Sequence, residues 1–154
     1  MDQRKERKEP LKRADLILAI DALKGSVNRM MIPSRHNPKK WVYAGGYRKQ
    51  KEKMVQELQA NHAELKDHFF GFETGHYVVC TIDFVDKWLT KTSGYRKFRK
   101  KDVTNYVKNI EDVISKFMGF DDSMITTTVL NKEHLSENHS SGPCLRIILE
   151  LYEM

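Results

Sequence analysis

The chain has 154 residues, 40% of them hydrophobic and 31% charged, which suits one compact domain with a real core and excludes two ordinary ones. Its 27 Lys and Arg against 21 Asp and Glu give a net charge of +6, a balance that favours an anionic partner such as nucleic acid. Residues 1–13 carry no signal-peptide core and no apolar run is long enough to cross a bilayer, so an intracellular, cytoplasmic protein with no membrane partner is expected.

In chain order, residues 1–13 hold Arg4, Lys5, Arg7, Lys8, Lys12 and Arg13 and read as a mobile basic arm ahead of one domain spanning 14–154. The apolar run at 16–20 is the first strand. Residues 24–46, rich in Gly, Pro, Ser and Asn, read as loop with a short strand at 41–43. From 47 to 66 the apolar positions Met54, Val55, Leu58, His62 and Leu65 recur at helical spacing, with Lys, Glu and Gln on the other face. Residues 77–85, dense in β-branched and aromatic types, predict a strand. A basic loop then turns at Ser93-Gly94 and leads to Lys101.

A second helix is predicted over 103–118 by the stripe Val103, Val107, Ile110, Ile114 and Phe117, with Asp102 or Thr104 as its N-cap and Gly119 as its stop. Residues 124–130 and 144–152 read as strands around a polar loop. In the last, Leu145, Ile147, Leu149 and Leu151 alternate with Arg146 and Glu150. These elements predict an α/β (α+β) fold, one mixed sheet covered by two main helices. Cys80 and Cys144 lie in apolar, strand-like runs and read as small buried core residues rather than a disulfide.

Chemistry concentrates on the polar face of the second helix. Asp102, Asn105, Lys108 and Asp112 follow one another at steps of three, three and four, and Asp121-Asp122 comes just after the helix. At 1.5 Å per residue the helix is roughly 24 Å long, so the Asp pair must fold back along it to approach Asp102. Two readings stand side by side. One is a solvated helix face followed by an acidic turn. The other is a carboxylate cluster for Mg²⁺, which prefers hard oxygen ligands and can activate water and stabilise charge on a scissile phosphate. The basic run Arg96, Lys97, Arg99, Lys100 and Lys101 leads straight into this motif.

The segment KKDVTNYVKNIEDVISKFMGFDDSMI, residues 100–125, resembles the active-site segment of the RusA family of Holliday junction resolvases. That segment has the form Asp-x-Asp-Asn-x-x-Lys, an Asp four residues later, and an Asp-Asp pair after a Gly-containing turn. Asp102, Asn105, Lys108, Asp112, Asp121 and Asp122 match those positions. Upstream, Ser26-Val27-Asn28 matches the family's Ser-x-Asn loop, and the closing strand CLRIILELYE fits the family's ending.

The resemblance implies a RusA-like fold and a homodimer that resolves four-way (Holliday) DNA junctions by paired nicks during recombination and repair, in a bacterial cell and encoded by host or phage. It makes Asp102 and Asp122 the main Mg²⁺ ligands, supported by Asp121, with Mn²⁺ as the alternative ion. Lys108 becomes an electrostatic or acid–base helper, and Asn105 orients a carboxylate or the loop. Asp112 stays open between the outer shell of the metal and a structural helix partner. Arg96, Lys97, Arg99, Lys100 and Lys101 become phosphate contacts, while Tyr95 and Phe98 either stack on bases or pack on the sheet. One position departs from the pattern: Thr104 stands where the family carries a second aspartate. The alternative function is therefore a junction- or DNA-binding protein of the same fold with weak or no cleavage.

Overall fold

The structure is a computed structural model that describes residues 8–19, 31–33, 35–36, 39, 41–43, 45–92, 95–98, 103–135 and 142–154. Strand β1 (Lys12–Ala19) turns Ala14, Leu16 and Leu18 inward and the intervening residues outward, as the two-residue period of a strand requires. The short strands β2 (Met31–Pro33) and β3 (Trp41–Tyr43) pair as an antiparallel ribbon. Helix α1 (Gly45–Asn61), strand β4 (His76–Asp86), the hairpin β5 (Leu89–Thr92) and β6 (Tyr95–Phe98), helix α2 (Thr104–Met118), β7 (Ile125–His134) and β8 (Cys144–Glu153) follow.

The main sheet has the strand order β1-β8-β4-β7. β8 runs antiparallel to both neighbours, and β7 runs parallel to β4. A parallel neighbour requires a crossover connection, and α2 lies in the one between β4 and β7. One face of the sheet, built from Leu16, Ile82, Ile147 and Leu149, joins Met54 and Leu58 of α1 and Ile110 and Ile114 of α2 in a single buried cluster. Each of these fully buried aliphatic side chains contributes roughly 1.5–3 kcal/mol. The fold is thus α+β, a mixed sheet with both helices packed on it, as the alternation of elements predicts.

α1 is also fastened to the sheet edge. Glu57 Oε1 accepts the Ala19 N–H at 2.9 Å, and His62 Nε2 lies 3.2 Å from Ile17 N and 3.1 Å from Ile17 O. These side chains occupy backbone groups of an edge strand that would otherwise face an incoming chain. Among the described residues no helix is long and apolar enough to cross a membrane.

Several boundaries differ from the sequence reading. Lys12 and Arg13, assigned above to the arm, belong to β1, because the ladder to β8 starts at Lys12↔Leu151; residues 1–7 lie outside the described residues. The helix expected to reach residue 66 ends at Asn61, where His62 takes φ −133° and a short 3₁₀ turn (Ala63–Leu65) follows. The basic segment read as loop contains the β5–β6 hairpin, with Leu89↔Phe98 and Thr92↔Tyr95 paired on either side of Ser93-Gly94. Two residues of turn type between two β-prone runs are a hairpin signal. α2 starts at Thr104 with Val103 at the N-cap, so Thr104 is the first helical residue and not the cap. Both cysteines are free, and only Cys80 is buried, while Cys144 is half-buried on the outer side of β8. Burial, reinforced by the Glu111 carboxylate, pushes the Cys80 thiol up to about 12.

Candidate active site

The polar face of α2 is held in place by its apolar one. Val103, Tyr106, Ile110, Val113, Ile114 and Phe117 are buried, so Lys108 and Asp112 are left on the outer side, four residues apart. A second constraint comes from the seam between the helices, where the buried Asn109 Nδ2 donates to Gln50 Oε1 at 3.3 Å. A third comes from the sheet: Thr128 Oγ1 on β7 donates to Glu111 Oε1 at 2.6 Å.

The return of the acidic pair depends on Gly119. It caps α2 in the left-handed region, at φ 81°, and its N–H and that of Phe120 both reach the Ser115 carbonyl at 3.0 Å. A Cβ at this position would meet Asp67 Oδ1 at 2.9 Å and Asp67 Cα at 3.1 Å. Phe120 then packs against Phe69, with ring centroids 5.7 Å apart, and the chain reverses into a 3₁₀ turn, Asp122–Met124. Asp121 caps this turn, its Oδ1 accepting the Ser123 N–H at 2.8 Å. Met124 is buried and anchors the turn before β7 begins.

This reversal brings Asp122 back onto α2. Lys108 Nζ lies 2.8 Å from Asp122 Oδ2 and 3.1 Å from Asp112 Oδ1. Lys51 Nζ of α1 reaches the second oxygen of Asp112 at 3.5 Å. The hydrogen bonds from Lys108 to Asp122 and then to Asp112 push the lysine above its ordinary range. Held this way it is an ammonium, which suits the electrostatic part of the role expected for it. Burial pulls the Asp112 carboxyl upward, but the hydrogen bond and charge of Lys108, with Lys51 behind it, outweigh this and hold it below the ordinary carboxylate range.

The structure thus brings together Lys108, Asp112 and Asp122 of the predicted set, with Asp121 beside them but engaged in its own turn. Thr104 is exposed in the first turn of α2, where Asn105 also lies. Arg96 and Lys97 fall on β6. Asp102, Arg99, Lys100, Lys101 and the Ser26-Val27-Asn28 loop lie outside the described residues, within which no three His, Cys, Asp or Glu side chains converge as a metal-binding group. Sequence reading missed Lys51, whose partner is 61 residues away. The only signal for it is the basic run Arg48-Lys49-Gln50-Lys51 near the start of α1. Asp122 and Asp112 offer the hard oxygen donors that Mg²⁺ takes, but both are ion-paired to Lys108, and Asp112 also to Lys51, so a cation held by Asp122 would share that carboxylate with the Lys108 ammonium. No protein-family model and no curated protein matches this chain.

Proposed function

We propose that the protein is a metal-dependent, structure-specific DNA endonuclease that nicks four-way junctions in pairs, acting as a homodimer in the cytoplasm of a bacterial or phage-infected cell. The observation that carries this reading is the return of Asp122 to Lys108. Lys108, Asp112 and Asp122, spread over 15 residues of sequence, are drawn into one charged cluster on the open side of α2. Asp122 with Asp102, supported by Asp121, would hold Mg²⁺, or Mn²⁺ in its place. The bound ion supplies Lewis-acid stabilisation of phosphate oxygens and a more acidic water.

The chain's own residues have distinct parts in this reading. Lys108 holds a fixed positive charge beside Asp122 and attracts the phosphodiester. Asp112 holds that ammonium in place and limits its freedom to swing away. Arg96, Lys97, Arg99, Lys100 and Lys101 contact neighbouring phosphates, and a two-fold dimer matches the two opposed cuts that a two-fold junction needs. A second reading, binding without cleavage, is favoured by Thr104: it offers the site a neutral hydroxyl where a carboxylate is expected. Incubating a four-way junction with the protein and Mg²⁺ or Mn²⁺ separates the two. Paired nicks lost on chelation support the nuclease; tight binding without nicks selects the second reading; absence of salt-dependent binding contradicts both.

A further inference from the structure

α1 and α2 lie side by side in the same sense, with Gln50 beside Asn109 and Lys51 beside Asp112 at one end, and Asp67 N–H bonded to the Phe117 carbonyl at the other. Between them runs a groove of about 410 Å³. Its floor is apolar, formed by Val55, Val113 and Phe117, and its rim carries Lys51, Lys66 and Lys116. The carboxylate on this rim is Asp112, which Lys51 and Lys108 already neutralise. Among the described residues neither Lys66 nor Lys116 forms an ion pair, and both are exposed. Arg48, one turn before Lys51 on the same side of α1, is exposed and extends the basic rim.

We propose that this groove seats the sugar-phosphate backbone of one DNA arm, leading it past Asp112 to the Lys108–Asp122 cluster. The proposal rests on the nuclease reading for its partner, and adds a surface on the helical layer to the basic segment at residues 96–101. Charge and shape both fit. Lys51 stands beside Asp112 and Lys116 lies one turn further along α2, and from Lys108 to Lys116 the helix rises about 12 Å, roughly two phosphate-to-phosphate steps of a strand lying along it. The apolar floor suits the deoxyribose faces between them, and lysines without carboxylate partners give up counterions rather than intramolecular bonds when they meet phosphate.

The test is the salt dependence of junction binding by the full chain, measured for the parent, for Lys66→Ala/Lys116→Ala, and for the control Lys49→Ala/Lys53→Ala, whose side chains are exposed on α1 outside the groove. The groove variant should lower the slope of log K against log salt by about two, near 0.9 for each phosphate that is no longer neutralised. The control should keep the parental slope. Should the alanine pair lower the melting temperature, Lys66→Gln/Lys116→Gln replaces it. An unchanged slope in the groove variant, or an equal loss in the control, overturns the groove while leaving the nuclease reading intact. A parent that binds with the predicted slopes but never nicks overturns the nuclease and leaves the groove standing; a parent without salt-dependent binding overturns both.

Discussion

The Lys108 ammonium lies 2.8 Å from the carboxylate of Asp122, 14 residues further along the chain, across a helix end and a reversing turn. Its other partner, Asp112, is one helical turn away at 3.1 Å. The local pair fixes where the ammonium points, and the long-range pair fixes where the acidic turn docks. Lys108 is therefore the link between the helix face and the loop that the sequence motif requires to meet.

The first prediction concerns stability and pH. Asp112→Asn should destabilise the fold by about 0.3–1 kcal/mol at neutral pH, a small effect because Lys108 is more than half exposed and the pair is screened by solvent. Asp112 is held below the ordinary carboxylate range, so its contribution is complete above the unfolded-chain value, about 3.9, and is lost as pH falls through the lower folded value. Lys108 is raised, so its contribution is complete below the ordinary lysine range and lost only in strong alkali. Urea unfolding of parent and variant should differ at neutral pH and converge in acid. A gap that persists in acid would mean that the charge on Asp112 is not what stabilises it.

The second concerns the reversal. Gly119→Ala places a Cβ against the Asp67 side chain and backbone and forces φ 81° on an L-residue. A loss of roughly 1–3 kcal/mol is expected in thermal or urea unfolding. Junction nicking should fall further than the lost folded fraction explains, because the turn that delivers Asp122 shifts with residue 119. Wild-type stability in this variant would show that the left-handed cap is not needed.

The third concerns the departure from the family pattern. Thr104 sits exposed in the first turn of α2, where a carboxylate also interacts favourably with the helix dipole by about 0.3–1 kcal/mol. Thr104→Asp should therefore fold at least as well as the parent. It should raise nicking at limiting Mg²⁺, and the two proteins should converge as the metal saturates. With the parent, Mn²⁺ should support more nicking than Mg²⁺, which demands near-ideal geometry. An unchanged metal titration would remove position 104 from the site.

Much of the fold was legible because its periods are plain. The alternation in β8 and the stripe of α2 come directly from side-chain direction, and Gly119 stops the helix where a left-handed residue is required. The β5–β6 hairpin was hidden by its charge, since Tyr95-Arg96-Lys97-Phe98 reads as basic before it reads as a strand. The early end of α1 turns on His62, whose partner is the β1 backbone 45 residues away, and such tertiary bonds leave no local mark. In the site, the sequence spacing placed Lys108 and Asp112 together, as four-residue neighbours must be. The docking of Asp122 depends on Phe120 and Met124 finding the core, and the pairing of Lys51 with Asp112 depends on how two helices pack. Neither follows from spacing.

The most direct test of the account is Asp122→Asn, assayed on one four-way junction for both binding and metal-dependent nicking. The variant keeps the shape of the side chain and a hydrogen-bond acceptor for Lys108 but removes the charge and a strong oxygen ligand. Nicking should fall by at least about a hundredfold, on the order of 3 kcal/mol of transition-state stabilisation. Binding should be equal or slightly tighter, since one negative charge no longer repels the phosphates. Nicking at the parental rate by a folded Asp122→Asn protein would contradict the account.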